Sequence, residues 1–391
     1  MNQLLFEGRF LVNIVSSIVR GESIHIVHSR VDWERMFHLA EYHGVSSIIY
    51  LGILGNGESM PERWRDRFFE RYQENLRFNG VCDEAENEVL MLFDMAEIPC
   101  FLLSSSQDRG MYKIEETAGV NPIRILMTGE SYTLAKGYLI NLGYETVSEI
   151  PGAGERMVRS GVTVELYRQL PFLTGHYRKN MARLLDESLV LDPYMYVRVM
   201  TPGQSYIFRM AQAAYKYVTD ELTVREVLDL MLFDRVHYEM LNEAAIISRL
   251  KYFGVDELSE KILRLSYMWF GDKTEQRFQH KPSDMSVYDV LEERLLSRGV
   301  LNKEVNDQAI RLKKSIQWEI DKEKRKSRRE RFLMKVKEKK EAVKKNLRWM
   351  FPNSSYMSSI YPLLERFSFL LPVFWIVRGI RLTVWHLLKK S

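Results

Sequence analysis

GVNPIRILMTGES, residues 119–131, reads as a buried strand running into a turn at Thr128-Gly129. The next stretch, SYTLAKGYLINLGYETVSEI at 131–150, reads as a helix from Tyr132 to Leu142, a stop at Gly143 and another strand. On the N-terminal side, EIPCFLLSSS at 97–106 is a short apolar run closed by three serines. On the C-terminal side, GVTVELYRQL at 161–170 alternates as a half-buried strand does. Residues 97–170 therefore form the one clear α/β segment, and everything around them has a different period.

Residues 1–20 and 31–56 show helical spacing of apolar residues, with Trp33, Met36, Phe37, Leu39 and Ala40 on one stripe and Asp32 placed to start the helix. A charged helix comes next over 61–96, with Trp64, Phe68, Tyr72 and Leu76 on one face. From 203 to 270, MAQAAYKYV, REVLDLMLFDRV and EAAIISRLKYFGV each read as a helix followed by a break. The predicted class is α+β by segregation, a small mixed sheet embedded in a mostly helical chain. The expected divisions are a helical region over 1–96, an α/β core over 97–175, a helical region over 176–300, a basic helical segment over 301–350 and an apolar aromatic tail over 351–391.

The chain has 391 residues and is 46% hydrophobic, enough to bury a substantial core. A formal net charge of +4 is too near balance to imply a specific nucleic-acid partner for the chain as a whole. Two cysteines, Cys82 and Cys100, argue against a disulfide framework and for a reducing compartment. Glu7 and Arg9 interrupt the first apolar stretch, which argues against a signal peptide and for a cytoplasmic chain. Residues 321–348 hold fourteen Lys and Arg against five Asp and Glu. The tail beyond them is apolar and aromatic, yet its uncharged apolar run, Phe367 to Val377, falls short of the roughly 20 residues that span a bilayer.

The order of pieces carries a resemblance. DWERMFHLAEYHGVSSIIY at 32–50, IPCFLLSSS at 98–106, IRILMTGESYTLAKGYLINLGY at 123–144, VTVELY at 162–167, YIFRMAQAAYKY at 206–217, VREVLDL at 224–230 and IYPLLERFSFLLPVFWIVRGIR at 360–381 together resemble the bacterial uncharacterised nucleotidyltransferase family, a branch of the DNA polymerase beta-like superfamily. The resemblance implies a nucleotidyltransferase-like sheet and metal-dependent transfer. Such chemistry needs metal ions held between carboxylates and a triphosphate. Acids at i and i+2 on a strand share a face, and a third acid on a neighbouring strand completes the grip.

The resemblance places the Asp-x-Asp pair on Pro122, Ile123 and Arg124, so both acids are absent. The phosphate-binding Lys-Gly turn falls on Ser104 and Ser105, and the histidine that usually comes after the third acid is Tyr167. Glu165 alone keeps an acid where the pattern asks for one. Arg124 carries a permanent positive charge that would repel the metal. No other acid-x-acid pair lies on an apolar strand candidate: Glu84, Glu86 and Glu88 fall on a helix, where such spacing splays the side chains.

Each remaining signal has a plain reading beside a functional one. Glu165 is either a surviving metal ligand or an outward-facing residue of an alternating strand, and the second is preferred. Arg124 pairs with Glu165 or contacts a phosphate in a metal-free pocket; the ion pair is preferred. Ser104 to Ser106 cap a following helix or offer phosphate contacts. His25 and His28 in HIVH make a weak metal signal without a third ligand. The basic segment and aromatic tail either pack on the body, the preferred reading, or lie on an anionic membrane, where each basic residue is worth about 1 kcal/mol.

The expected function is thus a degenerate nucleotidyltransferase-family protein with a binding or regulatory role, its partners a nucleotide or another protein. Two alternatives stay open. One is an active transferase with a rearranged metal site, the only case in which Mg is expected as a cofactor. The other is a membrane-associated scaffold held peripherally at the inner face of the membrane through 321–391.

Overall fold

The computed structural model describes residues 3–22, 31–54, 60–104, 106–119, 121–127, 129–150, 152–170, 183, 185–272, 277–278, 284–298, 300, 306–322, 325, 357, 361 and 363–388. The chain divides into two compact units, Met1–Glu319 and Ile320–Ser391. Among the described residues the first unit holds one mixed sheet of seven strands within a mostly helical chain. His25, His28 and all of the basic segment 321–348 except Asp321, Lys322 and Arg325 lie outside the described residues.

The N-terminal helices are α1 (Gln3–Arg20), α2 (Trp33–His43) and α3 (Ser46–Leu54). Asp32 starts α2 as expected, its carboxylate accepting the Arg35 backbone N–H at 3.1 Å. Gly44 ends it in the left-handed region at φ 69°. Next comes α4 (Glu62–Met95), 34 residues and so about 51 Å long. One end of it packs into the helical body, where Phe68 meets Phe37 edge to face at 5.0 Å between ring centroids. Its other end lays Cys82, Ala85, Val89, Leu90 and Phe93 on the sheet. A single helix thus fixes the sheet relative to the helical body.

The strands are β1 (Cys100–Ser104), β2 (Ile123–Leu126), β3 (Glu145–Ile150), β4 (Gly154–Arg159), β5 (Val162–Tyr167), β6 (Leu189–Val190) and β7 (Val197–Val199), in the order β3-β4-β5-β2-β1-β7-β6. β2 pairs parallel to β5 and antiparallel to β1, and β1 pairs parallel to β7. Two strands, β6 and β7, therefore lie beyond residue 175, within the stretch read as helical. Helix α5 (Ser131–Asn141) lies between β2 and β3 and ends before Gly143, which takes φ 90°. Ile123, Ile125, Met157, Val164 and Leu166 form a core with α4 and α5 on one face of the sheet.

The reading of VTVELY as a half-buried strand with Glu165 facing outward is overturned. β5 is central, with β2 on one side and β4 on the other, and Val162, Val164, Glu165, Leu166 and Tyr167 are all buried. Glu165 is only 4% exposed. Alternation along one strand reports which residues share a face; it does not report whether the second face is covered as well.

α6 (Pro202–Val218) and α7 (Val224–His237) close the other side of the sheet's β1–β2 end. Thr201 and Thr223 each build a reciprocal capping box, with Gln204 and Glu226 respectively. α8 (Glu243–Phe253), α9 (Asp256–Phe270) and α10 (Ser286–Ser297) complete the helical body, where α9 packs on α6, α7 and α1.

One junction ties these parts together. Arg225 of α7 is buried and donates through Nη2 to the Gly119 carbonyl at 3.4 Å. Gly44 and Gly119 both hold positive φ, and a Cβ on Gly119 would stand 2.8 Å from the guanidinium. His43 accepts the Val224 backbone N–H on Nδ1 at 3.3 Å, supplying a cap to α7 from a distant helix. Burial, aided by the charge of Arg298, lowers the His43 pKa to about 4, so the ring is neutral at neutral pH.

In the second unit, Leu363–Arg366 is a short helix and Leu371–Leu388 a longer one, called α11 here.

Candidate functional site

Three neighbouring strands set one row of side chains. Arg124 stands opposite Glu165 in the β2–β5 register, and Arg156 stands opposite Glu165 in the β4–β5 register. All three point away from the apolar core, because their strand neighbours Ile123, Ile125, Val164, Leu166 and Met157 point into it. A bulge in β1 between Leu102 and Ser104 shifts the register, so that Ser104 rather than Leu103 stands opposite Arg124. The row therefore runs Ser104, Arg124, Glu165, Arg156 across four strands.

Glu165 is saturated. Arg124 Nε donates to Oε2 at 3.0 Å and the Tyr167 hydroxyl donates to the same oxygen at 2.7 Å. Arg156 donates to Oε1 through Nη2 at 2.7 Å and through Nε at 3.2 Å. Burial pushes the carboxyl up, but the Arg124 charge and the hydrogen bonds from Tyr167 and Arg156 outweigh it and hold the pKa down at about 2. For Tyr167, burial and then the adjacent carboxylate push the phenol above its ordinary value, so it remains a proton donor. The expected pairing of Arg124 with Glu165 is present.

Beside the row, Ser104 and Arg124 line a cavity of about 70 Å³ between the sheet and α6 and α7. Ligand pockets run to roughly 300–1,000 Å³, so this space holds about two waters and no nucleotide in its present shape. Its charged walls are paired off. Arg209 of α6 bonds Asp108 at 2.6 Å, Lys216 bonds Glu226, and Asp229 accepts from the Tyr112 hydroxyl with Arg225 4.0 Å away. Burial pushes the Asp229 carboxyl up, and the Arg225 charge and Tyr112 hydrogen bond act against it.

The turn after β1, read as a helix cap or a set of phosphate contacts, is tied down by the same pairs. Ser104 donates to the Pro122 carbonyl at 3.3 Å rather than capping the next helical turn. Asp108 belongs to the 3-10 helix Ser106–Met111, only six residues long, and its bond to Arg209 anchors that segment to α6. Ser105 lies outside the described residues. Pro122 stands just before β2, where its missing N–H leaves no ladder bond unmade.

A family model described as "Uncharacterised nucleotidyltransferase" matches residues 29–271, which run from before α2 to just past α9 and include the whole sheet and cavity. The chain belongs to the uncharacterised nucleotidyltransferase family. No curated protein and no solved structure matches it.

The metal ions that nucleotidyltransferase chemistry implies do not fit the residues present. β2 carries no carboxylate, only Ile123, Arg124, Ile125 and Leu126, and both oxygens of Glu165 are taken by Arg124, Arg156 and Tyr167. Among the described residues no group of three or more His, Cys, Asp or Glu side chains is placed to hold a metal.

Sequence reasoning missed Arg156, Arg209, Lys216 and the acids Asp108, Glu226 and Asp229. Arg156 had a signal. Ser160 and Gly161 both take positive φ, as a two-residue hairpin turn requires, and counting back from that turn sets Arg156 against Glu165. Arg209 and Lys216 are seven residues apart in YIFRMAQAAYKY, two helical turns on one face.

Proposed function

We propose that this nucleotidyltransferase-family chain is catalytically degenerate and serves a binding or regulatory role rather than transferring a nucleotidyl group. The single observation that carries the reading is the state of Glu165. The one acid left at a family ligand position is buried between two guanidiniums and a phenol and is held ionised by them. A metal would have to displace at least one arginine from a buried ion pair, and breaking such a pair by removing one partner costs about 3–5 kcal/mol.

Loss of an outer partner alone typically costs about 10- to 100-fold in metal affinity or activity, and here two direct ligands are replaced. A phosphate-bearing ligand, in this reading, meets Arg124 and Ser104 without a metal, once the cavity opens beyond its present size. The test is transfer itself. Purified chain incubated with α-phosphate-labelled ribonucleoside triphosphates and Mg²⁺ or Mn²⁺ is expected to release no pyrophosphate and to label no acceptor above a protein-free control. Metal-dependent release that disappears in Glu165→Gln would refute the proposal.

A further inference from the structure

Helix α11, Leu371–Leu388, exposes a stripe that its sequence would lead one to bury. Val373 is 53% exposed, Ile376 64% and Ile380 60%, with Val377 at 42% and Phe369 at 75% on the approach to the helix. Their spacing of three and four residues puts them on one side of the helix, while Leu371 and Phe374 are partly covered on the other. In sequence the same spacing continues to Val384 and Leu387. A contiguous apolar stripe of this kind, open to water, marks a surface that is covered in use.

Charge says what covers it. Residues 1–319 carry 37 Lys and Arg against 46 Asp and Glu, whereas residues 320–391 carry 19 against 6. The unit that bears the stripe therefore holds a strong positive excess, and the rest of the chain a negative one. An apolar helical face joined to a polybasic segment is the pair of signals that stable attachment to an anionic bilayer requires, since neither alone is sufficient. Among the described residues no helix is long and apolar enough to cross a membrane. In sequence, Arg378 and Arg381 fall in the middle of α11, as suits a helix that lies in the headgroup plane.

We propose that α11 is an interfacial anchor, laying the stripe Val373, Ile376, Val377 and Ile380 into the surface of an anionic lipid bilayer while the basic excess of residues 320–391 is attracted to the headgroups. This does not depend on whether the sheet site is catalytic.

The test uses the full chain, sedimented with vesicles of phosphatidylcholine alone or mixed with phosphatidylserine. The wild type is expected to pellet with the mixed vesicles, to partition at least about tenfold less onto the neutral ones, and to be released as salt rises. The double variant Ile376→Glu, Ile380→Glu is expected to lose on the order of tenfold in partition onto mixed vesicles while melting at the wild-type temperature. Failure to pellet with either vesicle overturns the proposal, as does equal partition of wild type and double variant. Two lipid-free results also overturn it. A wild-type dimer that the double variant converts to monomer would mean that a second copy covers the stripe, and a lowered melting temperature would mean that it packs on the chain's own body.

Discussion

Two places in the sheet unit hold arginines in different ways. At the junction of α2, α7 and the lead into β2, the framing motifs meet in working geometry: His43 caps Val224, and Arg225 fills the space left by Gly44 and Gly119. In the row across β2, β5 and β4, Arg124 and Arg156 both pair with the ionised carboxylate of Glu165. The contrast teaches that the family likeness of this chain resides in how its elements are held together, and its chemistry is a separate matter.

The comparison can be broken first at the junction. Arg225→Ala removes a buried guanidinium, leaves the half-buried Asp229 without its nearby cation and opens space beside two glycines, so a loss of about 3–5 kcal/mol is expected in urea denaturation. A loss below about 1 kcal/mol would mean that the junction is incidental to the fold.

Glu165→Gln is the matching test of the row. The Glu165 pKa is about 2 in the folded chain against an ordinary 4.5, so ionisation contributes about 3 kcal/mol at neutral pH. Because the folded value is depressed, that contribution is complete above about pH 4.5 and fades as pH falls toward 2. Between those limits the unfolded chain binds more protons than the folded one. Wild-type stability should therefore fall more steeply with acid over that window than the stability of Glu165→Gln, and denaturation at a series of pH values would show whether the two slopes differ.

Gly119→Ala sharpens the contrast from the junction side at lower cost. At φ +65° any side chain is strained, and the new methyl would meet Arg225, so about 1–2 kcal/mol is expected as a lowered melting temperature. The smallest effect belongs to Thr201→Ala, which removes one half of a capping box for about 1 kcal/mol and leaves both the junction and the row untouched.

Much of this was legible in the sequence, for reasons that differ by element. α5 and its stop at Gly143 follow from helical spacing and a residue that tolerates positive φ, and Asp32 announces α2 by its capping chemistry. The pairing of Arg124 with Glu165 was readable because IRIL and VTVELY both read as strands and a guanidinium suits a carboxylate. β6 and β7 were not readable, since strands of two and three residues are too short to display a period. Glu165 was misjudged for a related reason. It is covered by Arg124 of β2 and Arg156 of β4, strands on either side of β5, and the pairing with Arg156 depends on the hairpin turn at Ser160-Gly161. Two of the pairs around the cavity, Asp108 with Arg209 and Tyr112 with Asp229, join residues more than 100 positions apart, beyond the reach of any local pattern.

The most direct test of the central claim is a thermal-shift comparison of the purified chain with each of the four ribonucleoside triphosphates, with and without Mg²⁺. A ligand at about 100 times its dissociation constant stabilises the folded state by about 2.7 kcal/mol, a readable rise in melting temperature. If Arg124 and Arg156 have taken over the metal's place at Glu165, any rise is the same with and without Mg²⁺. A rise that requires Mg²⁺ and is lost in Glu165→Gln would contradict the account.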